Sequence, residues 1–340
     1  MPEHAARRSF IQLVRIEKAL TQAMDQHRAD PRIQAGHFLC KTDVRTALFY
    51  LQGLARIGRI ASPGRRVWKA WLPRFKEIED RLGVYDYWLD VEQRARGWKL
   101  PAPIRSHISA RAAHQLGALE YALQRSDWWV EREGEPVTLG NAIVNARREI
   151  GGVVRNKPKS ERKRVAGFLL DETVETIAKL EDGSINLEEP ELGIHELRRR
   201  LRWLPIYGLA MAGKIVLDEK TQDGPLSCYV TPELLTHPYN QLPSSPDEPS
   251  PVKLHTGAFL AVSMLVAEIG KIKDRALWTL EIERASTKFG IDPEYAMGSI
   301  GPARISHAEA VTAVRGLVQR VIVDDGALRQ LAEHLARQAG

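Results

Sequence analysis

Sulfur is scarce in this chain. Its two cysteines, Cys40 and Cys228, lie far apart in 340 residues and form neither a metal motif nor a redox pair. That spacing fits a reducing compartment, where a structural disulfide is not expected. The histidines also lack ligand spacing: His107 and His114 are seven apart, with no acidic or cysteine ligand close by. Long apolar runs are missing as well. The most apolar stretch, AFLAVSMLVAEIG from Ala258, is too short to span a bilayer and reads as a buried core helix. The first twenty residues, MPEHAARRSFIQLVRIEKAL, carry charge throughout and hold no signal-peptide apolar block. These absences point to a cytoplasmic protein with no membrane contact, metal or cofactor. Strand patterns are nearly missing too, with LSCYVTPELL around Cys228 as the one weak candidate.

What is present is helical. Hydrophobic residues make up 44% and charged residues 27% of the chain, the balance of a globular protein with a substantial core. Apolar residues recur at three and four positions near 9–27, 39–60, 66–95, 104–130, 160–181, 192–218, 257–289, 305–322 and 326–338, which predicts an all-α fold. Seven of the 19 prolines fall between Thr221 and Gly257, so that interval cannot be a regular helix. It reads as a Pro-rich excursion at 221–256, partly disordered or folded over the domain. The net charge is +6 and the isoelectric point near 9.3, a mild bias toward anionic partners.

The charge concentrates in GIHELRRRLRWLPIY, from Gly193 to Tyr207. At 100° per residue, Ile194, Leu197, Leu201 and Leu204 form an apolar stripe. His195, Arg198, Arg199 and Arg202 form a second stripe. Like charges three and four apart repel by a few tenths of a kcal/mol per pair, and only Glu196 offsets them locally. Such a face calls for an external anion or for carboxylates from neighbouring helices, such as Asp171, Glu172 and Glu175.

IHELRRRLRWL resembles the second signature of the CHAD family, the conserved histidine α-helical domain. That pattern is roughly His-x-x-Arg-basic-x-x-Lys/Arg-x-x-Arg-Tyr; His195, Arg198, Arg199 and Arg202 match it, while Pro205 and Ile206 stand at its last two positions, with Tyr207 one place late. KTDVRTALFYLQGLARIGR from Lys41 takes the place of the earlier copy. There Thr42 stands at the histidine position, Arg45 is kept, and Phe49 and Gln52 replace basic residues. Arg56 and Arg59 return charge to the face of Arg45. A Leu-Gly-x-x-x-Asp turn between two helices should follow each copy. LGVYDYWLDV from Leu82 and IGKIKD from Ile269 fill those places.

The resemblance implies two pseudo-repeated helical bundles, with the Pro-rich insertion in the second half. The expected limits are an N-terminal helical extension at 1–35 and a CHAD-like domain at 36–338. That domain divides into a first bundle at 36–158 and a second at 159–338. The implied activity is non-catalytic binding of inorganic polyphosphate in a basic central groove, with polyphosphate-granule association as an extension. The implied groove residues are Arg45, His195, Arg198, Arg199 and Arg202, with Arg56, Arg59 and Lys214 as secondary candidates. Arginine suits phosphate because its planar fork binds two oxygens at once. A histidine beside a polyanion has its pKa raised and becomes a further donor.

Other readings stand beside this one. RREIGGVVRNKPKSERKR, from Arg147 to Arg164, holds eight basic residues that could extend a phosphate track or pair with nearby acids. GLAMAGKI, from Gly208 to Ile215, nearly matches a phosphate-binding loop, but Ile215 lacks the hydroxyl and the preceding segment reads as helix. The eight tryptophans read as core anchors. Single-stranded nucleic acid is the main rival ligand, and it would need exposed aromatic rings for base stacking. A protein partner bound through 221–256 is the third reading.

Overall fold

The computed structural model describes residues 3–62, 64–132, 135–153, 158–189, 193–245, 248, 250–301 and 304–340. Its elements run in the order α1 (Glu3–Ala29), α2 (Ala35–Leu39), α3 (Val44–Ala61), α4 (Arg65–Gly97), α5 (Ala102–Arg125), β1 (Trp129–Val130), β2 (Thr138–Leu139), α6 (Ala142–Gly151) and α7 (Pro158–Glu181). There follow α8 (His195–Ala210), β3 (Ile215–Asp218), α9 (Pro232–Thr236), β4 (Val252–His255), α10 (Thr256–Lys288), α11 (Pro293–Gly298), α12 (His307–Val318) and α13 (Ala327–Ala339). The fold is all-α, with two short strand pairs. Among the described residues, no helix is long and apolar enough to cross a membrane.

The chain divides into two compact units. The first comprises Met1–Arg155 and Ala285–Ile300; the second comprises Asn156–Arg284 and Gly301–Gly340. Helix α1 packs on α2, α3 and α6, so it belongs to the first unit's body rather than standing outside it as an extension.

In the first unit, α4 shows why the helices form where they do. Trp68, Trp71, Phe75, Ile78, Leu82, Tyr85, Trp88, Val91 and Ala95 are all buried, at steps of three and four that keep one stripe against the core. Helices α3 and α5 pack against α4. Seven of the eight tryptophans in the chain are buried, so they are core anchors as expected.

In the second unit, α7 packs along α13, and β3 pairs in parallel with β4 in the register Ile215↔Val252 to Asp218↔His255. Ala258, Phe259, Leu260, Ala261 and Val262 are consecutive and fully buried, which makes the start of α10 a core helix. Ser306 and Glu309 form a capping box that starts α12.

Several local expectations change. The helix expected over 104–130 stops at Arg125, because Asp127 turns left-handed (φ 57°) and Trp129 enters a strand. The helix expected over 192–218 runs through Pro205 and stops at Ala210. Ala212 and Gly213, with φ of 36° and 87°, reverse the chain into β3. The segment around Cys228 is a 3-10 turn followed by α9, not a strand.

The Leu82–Gly83 and Ile269–Gly270 pairs do not sit in turns between helices. Each lies in the middle of one 33-residue helix, α4 or α10.

The Pro-rich excursion is folded over the second unit. Tyr229 Oη donates to Asp325 Oδ2 at 2.5 Å, and buried Asn240 accepts from Ser263 Oγ of α10 at 2.5 Å. Leu242 packs so closely on Gly208 that a Cβ there would meet it at 2.6 Å.

Candidate functional site

Arg45, Arg56 and Arg59 belong to the first unit; His195, Arg198, Arg199, Arg202 and Lys214 belong to the second.

In the first unit, Arg45 extends from the first turn of α3 across the middle of α4. Its Nε donates to Glu79 Oε1 and its Nη1 to Asp86 Oδ2, both at 3.0 Å. The guanidinium lies over Gly83, where an added Cβ would sit 2.5 Å from Nη2. Glu79 is nearly buried, so this is a built ion-pair triad rather than a loose surface contact. Asp90 pairs with Arg94 one helical turn on, at 2.8 Å. The two aspartates therefore serve arginines, not each other. Arg56 and Arg59 are half-buried.

In the second unit, α8 buries Ile194, Leu197, Leu201 and Leu204, the stripe that the spacing predicts. The opposite stripe carries the cations. Half-buried Arg198 crosses α10 at Gly270, where a Cβ would sit 2.9 Å from Nε and 3.0 Å from Nη2. Its Nε donates to the Val266 carbonyl at 3.3 Å. Arg199 pairs with Glu196 through Nε at 2.8 Å, and Arg200 reaches Glu196 at 2.7 Å and Glu175 at 3.3 Å. Arg202 is half-buried. Lys273, largely enclosed, contacts Asp274 at 2.8 Å.

His195, the first residue of α8, reports the local field. Its pKa is held below the usual histidine range, by lost hydration first and then by Lys273, Arg199, Arg202 and Arg198 in that order. The residue is exposed, which limits how far dehydration alone can act. The four cations supply a contribution that an incoming anion would reverse.

The contact of an arginine over a mid-helix glycine occurs in both units. Four residues before the glycine stands Glu79 in α4 and Val266 in α10. Three residues after it stands Asp86 in α4 and Lys273 in α10. The first unit therefore surrounds its arginine with carboxylates. At the matching places the second unit has an apolar residue and a further cation. Lys273 lies within IGKIKD, three residues after Gly270 as Asp86 is after Gly83, so spacing from the glycine is the sequence signal that marks it.

Lys214 departs from the expected groove. It is fully buried, and its Nζ lies 2.8 Å from Glu248 Oε1 and 3.8 Å from Glu161 Oε2. It follows a helix and a tight turn and precedes a strand, the reverse of a phosphate-binding loop's strand, loop, helix order.

The basic run at 147–164 is partly spent on other partners. Arg147 pairs with Glu17, Arg162 bonds Gln338 at 3.4 Å, and Lys163 bonds the Gly340 carbonyl. Arg155 and Lys157 lie outside the described residues. The Cys40 thiol is half-buried and is pushed up to about 12, mainly by lost hydration and secondarily by Asp86, which leaves it unreactive.

The arrangement on α8 can hold an anion through charge-assisted hydrogen bonds. No family model, no curated protein and no solved structure matches the chain.

Proposed function

We propose that the chain binds inorganic polyphosphate, without turning it over, along the α8 face of the second unit. His195, Arg198, Arg199 and Arg202 make the primary contacts, and Lys273 of α10 adds to them. The observation that carries this reading is the row of His195, Arg198, Arg199 and Arg202 on one face of α8, with Arg198 crossing α10 at Gly270. Like charges gathered in this way cost stability in the free protein, and a polyanion offsets that cost. The resemblance of IHELRRRLRWL to the CHAD signature supports the same choice of ligand. Arg45 takes no part, because two carboxylates of another helix, one of them buried, hold its guanidinium, whereas Arg199 and Lys273 each pair with a carboxylate close by on their own helix that an incoming anion can displace. Lys214 takes no part, because it is buried.

The choice between polyphosphate and single-stranded nucleic acid rests on aromatic rings. Base stacking needs exposed rings. Trp203, the tryptophan of α8, is 7% exposed and stacks on buried Tyr207 at 5.6 Å. A phosphate polymer asks for no such platform. Binding of this kind would carry the protein to polyphosphate granules in the cytoplasm.

The test is a retention assay on long-chain polyphosphate in low salt, challenged with single-stranded RNA of matched total charge. The expected result is that free polyphosphate releases the protein at concentrations where RNA does not. Equal release by RNA would overturn the assignment.

A further inference from the structure

A second charged corner in the second unit does not belong to the α8 face. It is built from β3, β4 and α13. Gln338 of α13 bridges both backbone groups of Lys253 in β4: the Lys253 N–H donates to Oε1 at 2.9 Å, and Nε2 donates to the Lys253 carbonyl at 2.7 Å. A side-chain amide thus does for β4 what a neighbouring strand would do, and covers its open edge.

One turn earlier on α13, His334 is almost fully buried. Its ring meets His255 of β4 edge to face, with centroids 5.9 Å apart. Its Nδ1 lies 3.2 Å from Arg337 Nη2. Since guanidinium can only donate, that nitrogen accepts, and the ring proton sits on Nε2. Nε2 is buried without a hydrogen-bond partner, 3.6 Å from Asp218 Oδ2. His255 Nδ1 faces the Ala258 N–H at 3.3 Å, so it too accepts and the ring is neutral.

The corner thus holds two neutral imidazoles packed ring against ring. The charged groups facing them are Asp218 from β3, Lys253 from β4 and Arg337 from α13. From α7, Arg162 and Lys163 reach only the end of α13, at Gln338 and Gly340. Asp325, ahead of α13, is held by Tyr229.

We propose that this corner is an acid-released clasp: protonation of His255 and His334 undocks α13 from β4 and uncovers the strand edge. A second proton on His334 must go to Nδ1. That breaks the Arg337 bond and sets an imidazolium against a guanidinium. A proton on His255 then faces a second imidazolium across the ring contact. Asp218 attracts both charges, but Lys253 already shares it at 3.6 Å.

Both histidines have pKa values below their ordinary range, chiefly because burial removes hydration. For such groups the unfolded chain binds protons more readily than the folded one. Docking is therefore intact above pH about 6.5 and is lost as pH falls through the depressed folded values. Release removes Leu328, Leu331 and Leu335 from the core they share with α7.

The test is amide hydrogen exchange on the full chain at pH 7.5 and 5.5, corrected for intrinsic rates. The expected result is that protection over 327–339 and 252–255 falls at least ten-fold at pH 5.5, while α4 and the first half of α10 keep theirs. A His255→Gln/His334→Gln variant should lose this pH dependence. Should that variant not fold, the unaltered protein decides alone. Equal protection of α13 at both pH values, or loss shared by α10, would overturn the clasp.

Discussion

The two arginine-over-glycine contacts differ in what surrounds them. Arg45 over Gly83 is held by Glu79 and Asp86, whereas Arg198 over Gly270 meets a backbone carbonyl beside Lys273. The geometry is shared and the charge balance is reversed. The first contact is a finished structural pair, since its cation has carboxylate partners inside the unit. The second lies among further cations, Arg199, Arg202 and Lys273, two of which pair with the neighbouring carboxylates Glu196 and Asp274. A cation's role is set less by its own identity than by the residues one turn away on the helix it crosses.

The sharpest break between the two contacts is charge reversal. Arg198→Glu together with Arg202→Glu should weaken polyphosphate binding by 100-fold or more, with unchanged far-UV circular dichroism. Arg45→Gln should change binding less than two-fold. It should instead lower stability by about 2 kcal/mol, below the 3–5 of a fully buried pair because Arg45 is one-third exposed. Chemical denaturation and a binding titration on the same samples would separate these outcomes.

The converse experiment copies the second unit's residues into the first. Glu79→Val with Asp86→Lys should release Arg45 and give a second, weaker polyphosphate site. The stoichiometry from calorimetry would then rise from one to two per chain.

The glycines give a smaller contrast. Gly270→Ala places a methyl 2.9 Å from Arg198 Nε and should cost several-fold in affinity by moving the guanidinium. Gly83→Ala, which crowds Arg45 at 2.5 Å, should shift melting temperature and leave affinity alone.

The smallest expected effect is on pH. Lost hydration first, and then the neighbouring cations, hold the His195 pKa down; bound phosphate counters the cations, so binding takes up a proton. Affinity should rise a few-fold as pH falls through the histidine range. Calorimetry in buffers of different ionisation enthalpy should detect the uptake, and His195→Gln should abolish it.

Much of this fold is legible in the sequence, because helical burial is a local matter of spacing. The stripe from Trp68 to Ala95 declares α4, and the expected 326–338 lies one residue from the observed α13. The strands were hidden for a different reason. Ile215–Asp218 and Val252–His255 are four residues each, with no alternation long enough to register, and they pair across a Pro-rich excursion.

Of the candidate site, the cation stripe on α8 and the two glycines could be read directly. Their partners could not. That Glu79 reaches Arg45, or Glu248 reaches Lys214, depends on contacts across 34 residues of sequence in each case. Lys214 looked like a member of the basic row by helical phase, but the helix ends at Ala210 and the phase does not continue.

The most direct measurement is the salt dependence of polyphosphate affinity for the unaltered chain. With about four phosphates neutralised, log K should fall against log salt with a slope near −3, at about −0.7 per phosphate by analogy with single-stranded nucleic acid. A flat salt dependence, or no binding even at 20–50 mM salt, would contradict a phosphate-polymer site on α8.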